Sequence, residues 1–483
     1  MLQAIKRSQT ILFALGAGVA LSVLNHFLSI TTFLKLVAAA SIACLIVWKP
    51  VIGVFMVAGL TPLIPTQYLM VLSAVSFLAL VLRSLVLRET LIESSMLNLF
   101  SIIFAGNVVY GVVISFNRGE SVYAALIYLA YIVFFFVMQK CLVSKNLIYT
   151  AISLMVTAGF AVSVLGIYQY INGVENAALW IDRNLFGGIE TRVYGTLGNP
   201  NVLGNYIQIL VPLAIFLIIV NKDWLARIYY ALATLSMLVS LIFTYSRSSW
   251  MGLLLSLAIF TLLAPKKLLP LAAGGIAATP LVLGFFPTIL ERLKGLGTLV
   301  DTSTRFRVAV WSATLGIIKD FWVCGIGMGF ENFKRMLFNY APHDIDSIHS
   351  HNTFLQVTVE TGIMGLLLFL SLVFLFVRLC LPVYMKSKDD FTKTLAAVLL
   401  SSIGGYLLIC LFDNTLYDHS LKLVFWTVLS LGAAAGRLSA NEMISADGLS
   451  STNDASMDRL SSEDKPSSMD RLAPTDLGGD PQN

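Results

Sequence analysis

NTFLQVTVETGIMGLLLFLSLVFLFVRLCL, residues 352–381, contains two charged side chains, Glu360 and Arg378, along its whole length. A helix rises about 1.5 Å per residue, so the run exceeds the roughly 30 Å hydrocarbon core of a bilayer. In lipid every backbone N–H and C=O needs an internal partner, which makes an uninterrupted apolar run of this kind a helix. The segment predicts a membrane span.

Working outward from it, apolar runs of spanning length fall at 10–30, 31–48, 66–87, 95–115, 121–141, 146–170, 200–220, 226–244, 247–264, 268–286, 392–412 and 420–437. A shorter run at 50–62 ends in Thr61-Pro62-Leu63-Ile64-Pro65 and reads as a short span or a re-entrant piece. Composition agrees, with 57% hydrophobic and 12% charged residues among 483 and a mean hydropathy of +0.82. Soluble domains carry about a quarter charged residues. The fold expected is all-α and polytopic, with about 12–14 transmembrane helices.

Charge sets the orientation. With the N-terminus inside, Lys6, Arg7, Lys49, Arg83, Arg88, Lys140, Lys145, Lys222, Arg227, Lys266, Lys267, Lys386, Lys388 and Arg437 all fall on the cytoplasmic side, as the positive-inside rule requires. Short outside loops keep chiefly Arg118 and Lys422. The assignment needs the 50–62 run to cross, which gives both termini inside a bacterial cytoplasmic membrane. Lys6-Arg7 leads into its apolar run without a small-residue cleavage site, so the first span is expected to stay.

The membrane body is expected over 1–437, with long extracytoplasmic loops at 171–199 and 287–350. The second loop precedes the last three spans; Trp311, Trp322, Phe330 and Phe333 predict that it is ordered. Residues 438–483 hold nine acids and three bases, a balance of −6 within a chain of +5, leaving +11 on the body. This segment is poor in aromatics, repeats Ser-Met-Asp-Arg-Leu at 456–460 and 468–472, and reads as a disordered cytoplasmic tail. The positive-inside rule accounts for most of the body's charge, which gives no sign of nucleic-acid binding. Cys44, Cys141, Cys324, Cys380 and Cys410 are scattered without a CxxC pair, so neither a disulfide framework nor a zinc site is expected.

The informative bases are those the rule leaves on the outside: Arg192, Arg247, Arg305 and Arg307. One such arginine snorkels to headgroups as readily as it binds a ligand. Several on the disfavoured side point to an anion, because guanidinium forks match phosphate oxygens bidentately. His351, with His349 just before it, closes the large loop at Ser350-His351-Asn352-Thr353-Phe354-Leu355. An imidazole at the membrane surface suits a general base. A metal on His349 and His351 would draw its third ligand from His343, Asp344 or Asp346, whose spacing gives no strong signal, and none is expected. Glu360 faces away from His351 and reads as an intramembrane carboxylate paired with another helix. Asp413 and Asp418 read as solvated loop residues. Gly325-Ile326-Gly327-Met328-Gly329 lacks the preceding strand of a dinucleotide fingerprint.

Four stretches, in order, resemble the O-antigen ligase and O-antigen polymerase superfamily of bacterial membrane glycosyltransferases. They are Arg192-Val193-Tyr194-Gly195-Thr196-Leu197-Gly198-Asn199-Pro200-Asn201, Tyr245-Ser246-Arg247-Ser248-Ser249-Trp250, Arg305 through Asp320 to Gly325–Phe333, and His349–Gln356 with Glu360-Thr361-Gly362. They cover about residues 190–370; the first seven spans match only as hydrophobic helices, and the acidic tail lies outside the pattern. The resemblance implies a helical fold of the GT-C kind acting on undecaprenyl-pyrophosphate-linked glycans at the outer face of the membrane. By position, Arg192 and Arg247 match the family's pyrophosphate-binding arginines, and His351 the histidine that activates the acceptor. Arg305, Arg307, His349, Asn352 and Asn199 are expected to contact substrate. The implied reaction is inverting, without metal or cofactor, onto a glycan or lipid-linked acceptor. Ligase and polymerase (of teichuronic acid or exopolysaccharide, for example) share these residues. A transporter of a small anion such as bicarbonate is the alternative, against which stands the lack of an inverted repeat.

Overall fold

The computed structural model describes residues 16, 18, 29–174, 191–263, 302–343 and 345–463. Among these residues there are fourteen α-helices and no strand. In chain order they are α1 (Ile30–Trp48), α2 (Val51–Leu60), α3 (Thr66–Leu87), α4 (Met96–Val113), α5 (Arg118–Cys141), α6 (Lys145–Asn172) and α7 (Pro200–Val220). Then follow α8 (Trp224–Phe243), α9 (Arg247–Leu263), α10 (Thr302–Phe321), α11 (Phe330–Tyr340), α12 (Thr353–Lys386), α13 (Asp390–Cys410) and α14 (His419–Glu463). Ten of them are long and apolar enough to cross a membrane; α2 and α9 are shorter apolar helices. The chain is an all-α polytopic membrane protein. The expected spans at 10–30 and 268–286 lie outside the described residues, apart from Gly16, Gly18, Ser29 and Ile30.

Helix starts follow local chemistry. Ser95, Asn117, Ser144, Asn199, Asp223, Asn352 and Asp389 each accept a hydrogen bond from a backbone N–H of the first turn, meeting donors that have no partner within the helix. The most apolar segment of α7 is 83% buried and that of α1 is 6% buried, so α7 is central and α1 peripheral. Around α7 pack α6, α8, α9 and α13.

Helix α2 spans about 15 Å, half a hydrocarbon core. Its following turn meets the loop before α7, where Thr196 Oγ1 donates to the Pro62 carbonyl. The short helix thus brings residues 61–65 to the end of the bundle where α7 begins. At the opposite end Lys140 pairs with Glu89, Lys145 with Asp389 and Arg437 with Glu93.

The described residues between 302 and 349 share a small core, in which Val310, Ile317, Ile326, Phe333 and Leu337 pack with Val359 of α12. Phe333 is buried as its apolar character requires, while Trp322 is exposed. Helix α12 is broken at Gly362, whose φ of 72° and ψ of −172° leave the helical region. The groups freed by the break are taken up by the incoming loop. Val359 and Glu360 carbonyls accept from Ile326 and Gly327 N–H at 2.8 and 3.0 Å, and Ile363 N–H donates to Trp322 at 2.8 Å. A Cβ on Gly325 would stand 2.6 Å from the Glu360 carbonyl, so the glycines serve backbone docking.

The last helix continues to Glu463, past position 438 where composition predicts the disordered tail to begin. Residues 464–483 lie outside the described residues. The chain divides into two units between Leu438 and Ser439.

Candidate functional site

The ends of α7, α8, α9, α12, α13 and α14 meet at one end of the bundle, and two groups of predicted residues lie there. The first surrounds His351, which joins the large loop to α12 with a left-handed φ of 51°. Among non-glycine residues such a conformation is uncommon and clusters at functional sites. His349 is buried beside it; the rings are 4.2 Å apart and His351 N–H donates to His349 Nδ1 at 3.1 Å. Burial, followed by the charge of His351, pushes the His349 imidazole down to about 3, so it is neutral and works as a hydrogen-bond acceptor. Phe306 of α10 packs on His351 with centroids 5.9 Å apart. Arg307, next in sequence, acts electrostatically on both His349 and Asp413.

Asp413, read from sequence as a solvated loop residue, is buried against His351, with Oδ1 3.8 Å from His351 Nδ1. That separation is a charge contact and too long for a hydrogen bond. Burial alone would raise the Asp413 carboxyl; the facing His351, with His349 and Arg307 nearby, outweighs burial and holds it at about 2. Asp418 also departs from the solvated reading: it caps α14, accepting from Ser420 and Leu421 N–H at 2.8 and 3.2 Å, and burial raises its carboxyl.

The second group surrounds the α8–α9 turn. Arg192 is buried; its Nε donates to the Thr244 carbonyl at 2.8 Å and its Nη2 to Asn201 Oδ1 at 2.9 Å. Arg247 opens α9 three residues after Thr244, and Tyr245 between them has a left-handed φ of 51°. One Arg192 donor thus holds the turn that presents Arg247, and a second ties Arg192 to the start of α7. The Asn-Pro-Asn motif divides the labour: Asn199 caps α7, Pro200 occupies the first helical position and Asn201 holds Arg192. Gln169 of α6 fastens this loop, accepting from Tyr194 and Gly195 N–H and donating to the Gly195 carbonyl.

A hydrogen-bonded path joins the groups. Asp413 Oδ2 accepts from Asn205 Nδ2 at 3.2 Å, and Asn205 Oδ1 accepts from Ser249 Oγ at 2.7 Å. Ser249 Oγ lies 2.8 Å from Ser246 Oγ, beside Arg247. The structure therefore gathers His351, His349 and Arg307 around Asp413, and ties them through α7 to Arg192 and Arg247. Arg305 stands apart: it is exposed, about 200° around α10 from Arg307, and makes no hydrogen bond or ion pair among the described residues. The amides of Asn199 and Asn352 are engaged as caps, and Asn352 Nδ2 also donates to the Leu411 carbonyl at 3.0 Å. Sequence reasoning missed Asp413, Asn205, Gln169 and Ser249, whose roles depend on partners distant in the chain.

Such an arrangement supports acid–base chemistry beside an anion. Asp413 faces Nδ1 of His351, which leaves Nε2 to take a proton. His349, His351 and Asp413 also each offer a ligand atom within 4.8 Å of the others, enough for a three-ligand metal centre with an open position. Asp346, a third ligand considered from sequence, is instead paired with Lys334 at 2.9 Å, and His343 packs on Phe338. Asp344 lies outside the described residues.

Residues 232–370 match a family model described as O-antigen ligase. The matched stretch contains Arg247, Arg305, Arg307, His349, His351 and Asn352, and begins after Arg192 and Asn199. No curated protein matches the chain.

Proposed function

We infer that this chain, whose residues 232–370 match the O-antigen ligase family model, transfers a glycan from polyprenyl pyrophosphate to an acceptor sugar hydroxyl. The family implies lipid-linked glycan transfer in a multi-pass membrane protein. We propose further an undecaprenyl-pyrophosphate donor, an extracytoplasmic site, inversion at the anomeric carbon, and no metal. The convergence of His351 and Asp413 with the arginine-bearing turn, through Asn205 and Ser249, carries it.

In this reading His351 Nε2 removes the acceptor hydroxyl proton as the oxygen attacks the anomeric carbon. The bond from that carbon to the pyrophosphate oxygen breaks on the opposite face, and its electron pair leaves with the pyrophosphate. Asp413 stabilises the imidazolium without accepting the proton, as carboxylates do in hydrolase triads. Arg247, Arg192 and Arg307 stabilise the departing charge, a task fixed cations perform best where water is excluded. Guanidiniums supply the charge that a divalent ion supplies elsewhere.

The test replaces His351, Arg192 and Arg247 separately with alanine and follows surface glycan in the producing strain. Loss of glycan with normal protein in the membrane is expected. Accumulation of single lipid-linked repeat units identifies a polymerase, and accumulation of full-length lipid-linked polymer identifies a ligase. Normal glycan in all three variants refutes the transferase reading.

A further inference from the structure

Behind His349, across the ring of Tyr417, lies a cavity of about 150 Å³ that the mechanism above does not use. Tyr417 is the shared wall. Its ring centroid is 4.5 Å from that of His349 on one side and 4.8 Å from that of Phe330 on the other. The remaining wall comes from the start of α5, from α12 just before its break, and from the α13–α14 turn.

Two features set the cavity apart from packing space. Asn414 is 6% exposed, lines it, and its Oδ1 has no hydrogen-bond partner among the described residues; His419 Nδ1 is likewise buried and unpartnered. A buried polar atom without a partner costs about 1–3 kcal/mol, so two on one cavity wall point to an occupant that satisfies them. Lys422 is 4% exposed, and its ammonium lies 4.1 Å from the centroid of Tyr128. Glu360 also lines the cavity, and Gln356 donates to its Oε1 at 3.0 Å. The same Gln356 accepts from Ser350 N–H at 2.7 Å, which couples this wall to the loop that carries His351.

The chemistry selects the occupant. The lining alternates aromatic faces with hydrogen-bonding atoms of both polarities, the pattern of a site for a small ligand fixed by a few polar contacts. About 150 Å³ accommodates a six-membered ring. Two carboxyl groups, Glu120 and Glu360, line the wall against the single ammonium of Lys422, which leaves an acidic sugar short of cationic partners. We propose that this cavity seats an uncharged pyranose ring of the acceptor glycan, which runs past Tyr417 to present its hydroxyl to His351. The acceptor role rests on the transferase reading; the sugar site itself does not.

The experiment uses the full chain in lipid nanodiscs and three probes: methyl glucoside, methyl N-acetylglucosaminide and methyl glucuronide. Binding is read by saturation-transfer NMR against empty nanodiscs. At least one neutral glycoside is expected to bind, and the glucuronide to bind less. Ala124→Leu fills the cavity from α5, and Asn414→Leu replaces the unpartnered amide; each is expected to weaken binding at least about tenfold, near 1.4 kcal/mol. Two variants on different elements guard against misfolding of either, and thermal unfolding shows which are folded. The proposal is overturned if neither neutral glycoside binds, if the glucuronide binds better than both, or if folded variants bind as the parent does. Sugar binding with normal surface glycan in His351→Ala rejects the transferase reading alone. Glycan lost in that variant, with no sugar binding to the parent, rejects the cavity alone.

Discussion

Replacing Asp413 with Asn removes a charge while nearly preserving shape, and the structure sets the size of its effect. In the proposed step a proton arrives on His351 whose Nδ1 is 3.8 Å from Asp413 Oδ1. Two unit charges at that distance interact by about 4 kcal/mol at an effective dielectric constant near 20. The His351 side chain is 22% exposed, so solvent reduces this to about 2–3 kcal/mol. That corresponds to a rate about 30- to 150-fold slower. The new amide must also meet Asn205 Nδ2, which donates to Asp413 Oδ2, while keeping the Asn414 N–H bond to Oδ1. Two opposed amide donors cost about 1–3 kcal/mol of stability, so the thermal midpoint is expected to fall as well. The assay is glycan transfer in membranes of the producing strain, normalised to folded protein, with donor concentration varied. A lower kcat at unchanged donor KM is expected, because the carboxylate acts on the base and leaves the anion site alone. A folded Asp413→Asn variant that transfers at the parental rate refutes the role assigned to this carboxylate.

Arg192→Lys cannot reach both the Thr244 carbonyl and Asn201 Oδ1 with one ammonium, and donor KM is expected to rise about tenfold or more; an unchanged KM would show that the turn holds its shape without the fork. Gly362→Ala places a methyl on the Val323 carbonyl at a left-handed φ, and loss of folded protein, read by detergent size-exclusion chromatography, is the expected result. His349 is depressed from 6.5 to about 3 in the folded state, so its contribution is complete above pH 6.5 and is lost as pH falls towards 3. The loss proceeds by at most about 1.4 kcal/mol per pH unit, and His349→Gln should flatten the thermal midpoint between pH 6.5 and 4. Transfer in the presence of EDTA is expected to proceed at the untreated rate; inhibition reversed by zinc would assign His349, His351 and Asp413 to a metal centre.

The helical architecture was legible because an apolar run of spanning length has few alternatives in lipid, and residues 352–381 show it plainly. His351 and the outside arginines were legible because the positive-inside rule places most bases next to the spans at the other end, so arginines left beside the bundle on the outside stand out. The break in α12 was not legible. Thr361-Gly362 within a long apolar run reads as a tolerated glycine, and only the loop entering at Gly325 and Gly327 explains why the helix opens there. Asp413 was misread for a related reason. A carboxylate between two spans is solvated by default, and its burial follows from Asn205, Thr353 and Arg307, which are far away in sequence. Arg305 and Arg307 were indistinguishable as a pair until the turn of α10 separated them.

The same packing explains why a charged site is stable at this end of the bundle. Helices α7, α9, α12 and α14 all begin here, so four positive helix ends converge where Arg192, Arg247 and Arg307 already lie. Each helix start favours an anion by about 0.3–1 kcal/mol at the surface and more where solvent is reduced. That field acts in the same direction as His351 and Arg307, whose effect on Asp413 outweighs burial and holds its carboxyl at about 2. It also favours a pyrophosphate over any neutral leaving group, and it works against a proton on His351. Asp413 is the carboxylate that offsets this last effect, which is why its buried position matters more than its distance from the arginines. A site built from helix starts needs little sequence of its own: three caps, one proline and three arginines are read as ordinary loop residues until the helices are seen to converge.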